Sequence, residues 1–481
     1  MRKRTTSALA ALLAAGITSL ALTSPATAAP AGLSDDFNGD GYRDVAIGAM
    51  CTTVGSADCA GAVVVLYGSA SGLKTSSKTV INQNSTGVPG TSRSGNLFGA
   101  SLAAGDLNDD GYADLVVGAP GESVGSLDSV GTATILWGRS HGLSGGSVLP
   151  APDRLSEFGE FSKSIAIGDF DGNGTTDVNI VGRYDNRIYN GPFPRNGIPA
   201  RHYDISPVTS SDAVTAGDLN GDGTAERVFH HLVDGDPGGT VEYLSWTGIP
   251  NTDSEHAESL YKRVKMPDAD GLTSAIGDIN GDGYGDLVLG DPVDPSAHKP
   301  VGAKGGQITV WYGGPDGPDL DQQPTVIHRN TTSVPGVAKV DDGFGTSLTT
   351  GDINNDGYAD IAVGAPGADV GAAKDAGAVT VFLGSPTGPQ VRGSKLYTQD
   401  TTGIPGTAET GDNFGSAVRL ADVTGDGRAD LVIGAGGEDG TGGVWSMRGT
   451  ATGLATTGST GFTAADLSVK NTYYVGQNLN Q

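Results

Sequence analysis

Seven short segments of the chain repeat one arrangement of oxygen-bearing side chains. Each segment spans nine residues, with an acid at position 1, an oxygen donor at position 3, Asp or Asn at position 5, Gly at position 6 and an acid at position 9. Donors at this spacing fold back toward one point around a bend that Gly permits, which is how a short loop encloses a hard cation such as Ca²⁺. The segments are 36–44, 106–114, 169–177, 218–226, 278–286, 352–360 and 422–430.

Four of these acidic loops follow the pattern Asp-x-Asn-x-Asp-Gly with a final Asp, and calcium is expected in all four. Their predicted ligands are Asp36, Asn38, Asp40 and Asp44; Asp106, Asn108, Asp110 and Asp114; Asp278, Asn280, Asp282 and Asp286; and Asp352, Asn354, Asp356 and Asp360. An EF-hand is excluded, because the loops have neither flanking helices nor a Glu at position 12. A structural Asx-turn without metal is the alternative for each loop.

The other three loops depart from this pattern and are expected to bind calcium more weakly. Their predicted ligands are Asp169, Asp171, Asn173 and Asp177; Asp218, Asn220, Asp222 and Glu226; and Asp422, Thr424, Asp426 and Asp430. The third loop exchanges the amide and the acid, the fourth ends in the longer Glu, and the seventh has a hydroxyl at position 3. The sequence thus predicts up to seven calcium ions, with four sites favoured.

The loops recur at intervals of 49 to 74 residues, and self-similarity of this length indicates a repeat architecture. Each repeat continues from its loop into a short apolar run, such as residues 115–118, and later carries an alternating run, such as residues 132–138. Short runs bounded by Gly, Pro, Asn and Asp are typical of β-strands. No 3.6-residue periodicity appears beyond the N-terminal stretch, so the sequence predicts an all-β protein.

The repeated unit resembles the FG-GAP repeat family, the repeat of the integrin α-subunit head. The motif is spelled out by Phe98-Gly99 with Gly118-Ala119-Pro120, by Phe344-Gly345 with Gly364-Ala365-Pro366, and by Phe414-Gly415 with Gly434-Ala435. The resemblance implies a seven-bladed β-propeller over residues 29–481, with Ca²⁺ in loops of the blades. A repeat of about 50–70 residues suits a blade of four antiparallel strands, A to D. The Phe-Gly segment is expected in the inner strand A, and the acidic loop is expected to join strands A and B.

The ring is predicted to close through residues 474–479, because this segment resembles residues 97–102 and blade 1 has no room for a strand A of its own. A frayed tail is the alternative. Antiparallel order places the A–B and C–D loops on one face and the B–C and D–A loops on the other. An unknown protein or glycan partner is expected on this second face, which in integrins resembles the partner-binding side. Its long connections are 121–130, 294–305, 367–377, 82–96, 330–342 and 400–413.

The first 28 residues have the features of a signal peptide. A basic start at residues 2–4 precedes an apolar stretch at 8–22 and the cleavage signal Ala26-Thr27-Ala28. Cleavage after Ala28 would give a secreted protein without a membrane span, and an uncleaved anchor is the alternative. Cys51 and Cys59 lie in one loop of the first repeat, where an oxidising compartment would favour a disulfide over free thiols.

Composition narrows the class of function. The net charge of −26 argues against nucleic acid or anionic lipid as a partner, and the protein is expected to be a monomer. The first hypothesis is a calcium-stabilised adhesion or protein-recognition module, and the second is a lectin-like binder of glycans or cell-wall polymer. A secreted hydrolase of the phospholipase or glycosidase type is the third, because no catalytic motif is evident; whether the protein is an enzyme stays open, leaning to no.

Overall fold

Seven four-stranded antiparallel sheets make up the fold, and together they form a seven-bladed β-propeller. The computed structural model describes residues 33–152, 155–205, 211–233, 236–248, 260–296, 299, 301–470 and 472–480. The proposed signal peptide, residues 1–28, lies outside these residues. Six sheets take their strands from one stretch of chain in the order A, B, C, D. The sheet of blade 1 has the order β28-β1-β2-β3 and takes its inner strand from the other end of the chain.

The blades are built as follows within the described residues. Blade 1 contains β1 (Val45–Ala49), β2 (Ala62–Leu66) and β3 (Thr79–Ile81); blade 2, β4 (Ser101–Gly105), β5 (Asp114–Ala119), β6 (Thr132–Leu136) and β7 (Gly146–Val148); and blade 3, β8 (Ser164–Gly168), β9 (Asp177–Val181), β10 (Asn186–Asn190) and β11 (Arg201–Asp204). Blade 4 contains β12 (Ala213–Gly217), β13 (Glu226–Val233), β14 (Asp236–Trp246) and β15 (Tyr261–Asp270); and blade 5, β16 (Thr273–Gly277), β17 (Asp286–Asp291), β18 (Gln307–Trp311) and β19 (Thr325–His328). Blade 6 contains β20 (Ser347–Gly351), β21 (Asp360–Ala365), β22 (Ala378–Phe382) and β23 (Lys395–Tyr397); and blade 7, β24 (Phe414–Ala421), β25 (Asp430–Ala435), β26 (Gly443–Thr450) and β27 (Gly453–Thr463). Strand β28 (Asn478–Leu479) completes blade 1, and short 3-10 helices lie at Thr75–Ser77 and Glu438–Gly440.

The hydrophobic core lies between neighbouring sheets. Val63 and Val65 of blade 1 form one buried cluster with Leu102, Leu115 and Val117 of blade 2. Strand B is covered on both faces, as β5 is buried at every position. Apolar residues therefore run continuously along strand B and do not alternate, which is the pattern that the sequence shows after five of the seven acidic loops.

The glycines of the repeat motif allow neighbouring blades to approach each other. Gly48 in strand B of blade 1 lies directly against the carbonyl oxygen of Gly99 from blade 2, and a Cβ at Gly48 would overlap that oxygen. Gly364 makes the same contact with Gly415, one blade further on in blade 7. A side chain at these positions would push the blades apart, so the motif requires glycine for its close backbone contact.

The Phe-Gly pair does not lie within strand A in most blades, contrary to the expectation from sequence. In blade 2 strand A begins at Ser101, whereas Phe98 is fully buried and forms an isolated bridge with Gly61 of blade 1. Gly99 has a φ of +94°, which ends the extended path before the strand begins. Blade 7 is the exception, because its strand A includes Phe414.

The ring closes between the two ends of the described chain. Strand β28 pairs with β1 through Ile47–Leu479 and Gly48–Asn478. Val475 is fully buried and bridges to Gly442 of blade 7, as Phe98 bridges to Gly61. The sequence assigned the closing segment to residues 474–479, and the regular strand itself comprises the last two of these.

One disulfide and one hydropathy result bear on the compartment. Cys51 and Cys59 form a disulfide in the B–C loop of blade 1, as predicted, and disulfides are typical of oxidising compartments. Among the described residues, no helix has the length and apolar character needed to cross a membrane.

Deletion of residues 474–481 should lower the free energy of unfolding by at least about 3 kcal/mol, because Val475 and Leu479 lose their burial. Thermal and urea unfolding would measure the effect. Tyr474→Ala is the matched control, since this side chain is 51% exposed and its truncation should leave the melting temperature nearly unchanged. A deletion variant that melts like the full chain would show that β28 does not hold the ring closed.

Candidate metal centres in the acidic loops

The position-1 carboxylate organises each acidic loop. In the first loop Asp36 Oδ1 accepts hydrogen bonds from the backbone N–H groups of Gly39 (2.6 Å) and Asp40 (3.1 Å), and its Oδ2 accepts one from Gly41 (2.8 Å). The bond from the position-6 glycine recurs in all seven loops, at 2.7–2.9 Å. These bonds form the Asx-turn geometry, and each oxygen keeps lone pairs that a cation could use.

The position-9 carboxylate connects three parts of its own blade. Asp44, at the start of strand B, accepts one hydrogen bond from Phe37 N at position 2 (2.9 Å) and one from Gly68 N after strand C (2.9 Å). Four further loops repeat the pair, with Gly138, Gly191, Gly313 or Gly384 as the second donor. In the seventh loop Asp430 accepts from Gly449 N and from Thr424 N, which is at position 3. Blade 4 lacks this glycine, and Ser245 Oγ donates to Glu226 at 2.9 Å in its place.

Burial raises the pKa of every position-9 acid, and carboxylates at positions 1 and 5 or position 3 raise it further. The pKa of Asp44 and of Asp114 rises to about 8. The pKa rises to about 7 for Asp177, Glu226 and Asp360, and to about 6 for Asp286 and Asp430. Two backbone N–H groups oppose this rise in most loops. A carboxylate of this kind is stabilised by either a proton or a bound cation.

The third loop brings three acids closest together. Among the described residues, Asp169, Asp171 and Asp177 are the one group of three acidic side chains whose ligand atoms all lie within 4.8 Å of one another. Asp171 Oδ1 is buried and has no hydrogen-bond partner in the described part of the chain. Oxygen donors and an unpartnered carboxylate oxygen fit a hard cation such as Ca²⁺.

This geometry and the sequence rank the loops differently. The sequence placed the third loop among the weaker sites because an acid, Asp171, stands at position 3 and an amide at position 5. The same exchange moves a carboxylate from position 5 to position 3, where it lies beside the acids at positions 1 and 9. In the loops with Asn at position 3, the three acids are farther apart, and Asn itself spans the gap, as where Asn38 Nδ2 donates to Asp40 Oδ2 at 3.1 Å. The other six predicted ligand sets also lie in A–B loops, on the same face of the propeller.

The sequence analysis missed two structural roles. The glycine after strand C, such as Gly138, could have been found from its regular place at the end of each alternating run. The tyrosine at position 7 is evident in the sequence as a possible backbone-carbonyl ligand, but its side-chain contact could not be predicted, because the glycine on which it packs belongs to the preceding blade. Tyr112 packs on Gly39, so a Cβ at Gly39 would lie 2.6 Å from Tyr112 Cε1.

Tyr–Gly contacts join neighbouring loops around the ring. The same position-7 tyrosine covers a position-4 glycine at three more junctions, which are Tyr42 on Gly425, Tyr284 on Gly221 and Tyr358 on Gly281. Where the next loop has Thr175 or Arg428 at position 7, position 4 is Asp109 or Asn355 instead. Position 4 can therefore carry a side chain where no tyrosine covers it.

Gly39→Ala should destabilise the protein more than Gly41→Ala, by about 1–3 kcal/mol. Both glycines have positive φ, +72° and +88°, so the backbone penalty is shared, but no atom lies within 4 Å of a Cβ at Gly41. Urea unfolding of the two variants would measure the difference. Adding Tyr112→Ala to the Gly39→Ala variant should remove most of this difference in unfolding free energy. Equal losses of unfolding free energy at the two glycines would contradict the Tyr–Gly contact.

Comparison with known proteins agrees with this architecture. The chain matches the FG-GAP repeat family at residues 98–136, 344–382 and 414–447, and the FG-GAP-like repeat family at residues 169–229. FG-GAP repeats commonly bind Ca²⁺. The matched segments cover strands of blades 2, 3, 4, 6 and 7 together with five of the seven acidic loops.

Two groups of relatives share this region. The chain is 32% identical to mouse integrin alpha-IIb over 215 residues (42% of the chain, 19% of the relative) and 30% identical to integrin alpha-5 of Xenopus laevis over 234 residues (48% and 20%). It is 34% identical to mouse phosphatidylinositol-glycan-specific phospholipase D over 162 residues (34% and 17%). The matches thus span about a fifth of the length of each relative. The chain is an FG-GAP repeat protein that forms a seven-bladed β-propeller, distantly related to integrin α N-terminal domains and to phosphatidylinositol-glycan-specific phospholipase D.

Proposed function

We propose that the protein is an exported, calcium-stabilised recognition module that binds a protein partner with the face formed by its B–C and D–A loops. The relatives named integrin, which match 42% and 48% of this chain, support a recognition role. The observation that carries the proposal is the distribution of exposed apolar side chains over the surface.

Exposed large apolar residues concentrate on one face. Of the twelve such residues in the described chain, eight lie in B–C or D–A loops. These eight are Leu155, Phe158, Tyr184, Val301, Val337, Val340, Tyr473 and Tyr474. Apolar exposure of this kind is unfavourable in water and is retained where a partner covers it. Aromatic residues are also enriched in protein–protein interfaces.

The opposite face is acidic and suits a structural role for calcium. Seven A–B loops lie there, each with a position-9 carboxylate that is buried at the start of strand B. We expect a Ca²⁺ ion in each loop, held by the side chains at positions 1, 3, 5 and 9. The ion would supply the positive charge that the buried acid lacks, and so stabilise the A–B turn that aligns two strands of the blade.

Export is part of the proposal. The basic, apolar and small-residue pattern of residues 1–28 supports a signal peptide cleaved after Ala28. The disulfide between Cys51 and Cys59 is consistent with an oxidising compartment. Extracellular calcium is present at millimolar levels that suit modules of modest affinity, roughly 10⁻⁴–10⁻³ M.

Calcium should raise the melting temperature of the purified mature protein relative to EDTA, because cation binding favours the native state by mass action. Asp356→Asn should remove one calcium ion per chain and reduce the gain, while leaving the EDTA melting temperature nearly unchanged. The amide can still accept the bond that Asp356 Oδ1 receives from Tyr358 N at 3.1 Å. Metal analysis by mass spectrometry and calorimetric melting would measure both effects.

Asp321→Asn is the matched control, because it removes one exposed carboxylate outside the acidic loops. It should change neither the calcium content nor the gain in melting temperature. Identical melting of the wild-type protein in EDTA and in 5 mM calcium, about five times the upper dissociation constant of such sites, with no bound ion, would contradict the calcium part of the proposal.

Partner binding should depend on the apolar face. A Val337→Ser, Tyr473→Ser variant removes two side chains that are 68% and 59% exposed on D–A loops, and should lose a partner that wild type retains in pull-down and cross-linking experiments. An Ile198→Ser, Leu320→Ser variant removes similarly exposed residues from C–D loops and should retain it. The reverse result would place the partner on the calcium face, and binding confined to a glycan array would show that the partner is a glycan.

A further inference from the structure

A cavity of about 580 Å³ lies at the centre of the ring, on the side of the acidic loops. Its wall consists of the inner strands β12, β16, β20 and β24, with Leu33 and Ser34 before β1 and Asn480 after β28. The volume falls within the range of small-molecule sites, roughly 300–1,000 Å³. The cavity is separate from the apolar face to which the partner is assigned above.

Three arginines border this cavity in a protein of net charge −26. Arg43 and Arg419 share Asp35, a fully buried carboxylate, and the Arg43 NH1–Asp35 Oδ1 distance is 2.6 Å. Arg428 lies 3.5 Å from Asp426 Oδ2. One buried carboxylate thus serves two guanidinium groups, and each of these groups has further N–H donors.

Unpartnered donors point to an acceptor ligand. Arg419 Nε, Arg428 Nε and Asn480 Nδ2 are buried and have no hydrogen-bond partner among the described residues. Asn480 is only 1% exposed, and its Oδ1 is already engaged by Ala46 N at 2.9 Å. Arg419, Arg428 and Asn480 all line the cavity, their unpartnered buried atoms are N–H donors, and leaving such donors unpaired is costly. An oxyanion would satisfy them.

Hydroxyl groups also line the cavity. Thr215, Ser274, Thr349 and Thr350 contribute them from three inner strands. Such groups suit a ligand that carries hydroxyls beside its charge. We propose that this cavity binds a small hydroxylated carboxylate of the uronic acid type, with its carboxylate on Arg419, Arg428 and Asn480 and its hydroxyls toward the threonines.

Calcium in the neighbouring loops is part of this proposal. Asp352 and Asp422 border the cavity and are position-1 acids of the sixth and seventh loops. Bound cations would neutralise them and leave the arginines in excess, so the inference rests on the calcium-loaded form proposed above. Thermal melting of the same sample with and without calcium separates the two cases. No calcium-dependent rise in melting temperature would indicate that the calcium sites fail, whereas a rise without ligand binding would indicate that the cavity does not bind the ligand.

Isothermal titration calorimetry of the mature protein in 5 mM calcium, enough to load the neighbouring loops by mass action, would test the proposal with D-glucuronate, D-glucose, acetate and sulfate. Glucuronate should bind at least tenfold more tightly than any of the other three, because only it provides both the carboxylate and the hydroxyls. Equal binding of acetate, sulfate and glucuronate would show an adventitious oxyanion site only. No binding of any probe would show a water-filled channel and overturn the inference.

Two variants test whether the ligand lies in the cavity. Asn480→Asp keeps the acceptor for Ala46 N but replaces the Nδ2 donor with an anionic oxygen. Arg428→Gln removes one charge without changing the Arg419–Asp35 pair. Each variant should weaken glucuronate binding at least tenfold. Arg392→Gln removes an exposed arginine outside the cavity and should leave the affinity unchanged. Wild-type affinity in both cavity variants would overturn the assignment, and a cooperative thermal unfolding transition would show that they are folded.

Discussion

The close contact between backbones of successive blades is the constraint on which the propeller depends. A glycine in strand B, such as Gly48 or Gly364, lies against the carbonyl oxygen of the Phe-Gly glycine of the next blade. Any Cβ at this point would separate two sheets whose apolar faces are buried against each other. Because the angle between blades is repeated seven times, a small change at one junction would prevent the ring from meeting its own first blade. The glycines of the motif are therefore required for the blades to pack at the angle that closes the ring.

Charge is arranged around this apolar framework in a similarly repeated way. A carboxylate at the start of strand B accepts hydrogen bonds from the A–B loop and from the chain after strand C, as Asp114 does from Leu107 and Gly138. This side chain joins three consecutive segments of one blade at a point where water is largely excluded. The same burial that makes it an effective structural acceptor raises its pKa to about 8. The calcium-binding role proposed for the loops and the alignment of the strands therefore involve the same atoms.

The sequence predicts features that arise within one repeat, and its self-similarity also reveals the closing segment at 474–479, but it misses the side-chain contacts between repeats. The apolar run of strand B and the nine-residue loop are local, so spacing and glycine content were enough to place them. The displacement of Phe98 from strand A follows from its bridge to Gly61, which belongs to the preceding blade. The packing of Tyr112 on Gly39 and the proximity of Arg419 to Asp35 likewise join residues that are distant along the chain. Such contacts have no signature at fixed short spacing.

The pairing of β28 with β1 has a consequence for how this molecule is made. Blades 2 to 7 can each form as soon as their own residues have left the ribosome, because their strands are consecutive. Blade 1 must wait, with Ile47 and Gly48 exposing an unpaired strand edge, until residues 478 and 479 arrive. Unpaired edges of this kind invite pairing with other chains. The strand that is synthesised after the seven blades thus covers the exposed edge of the blade that was synthesised first.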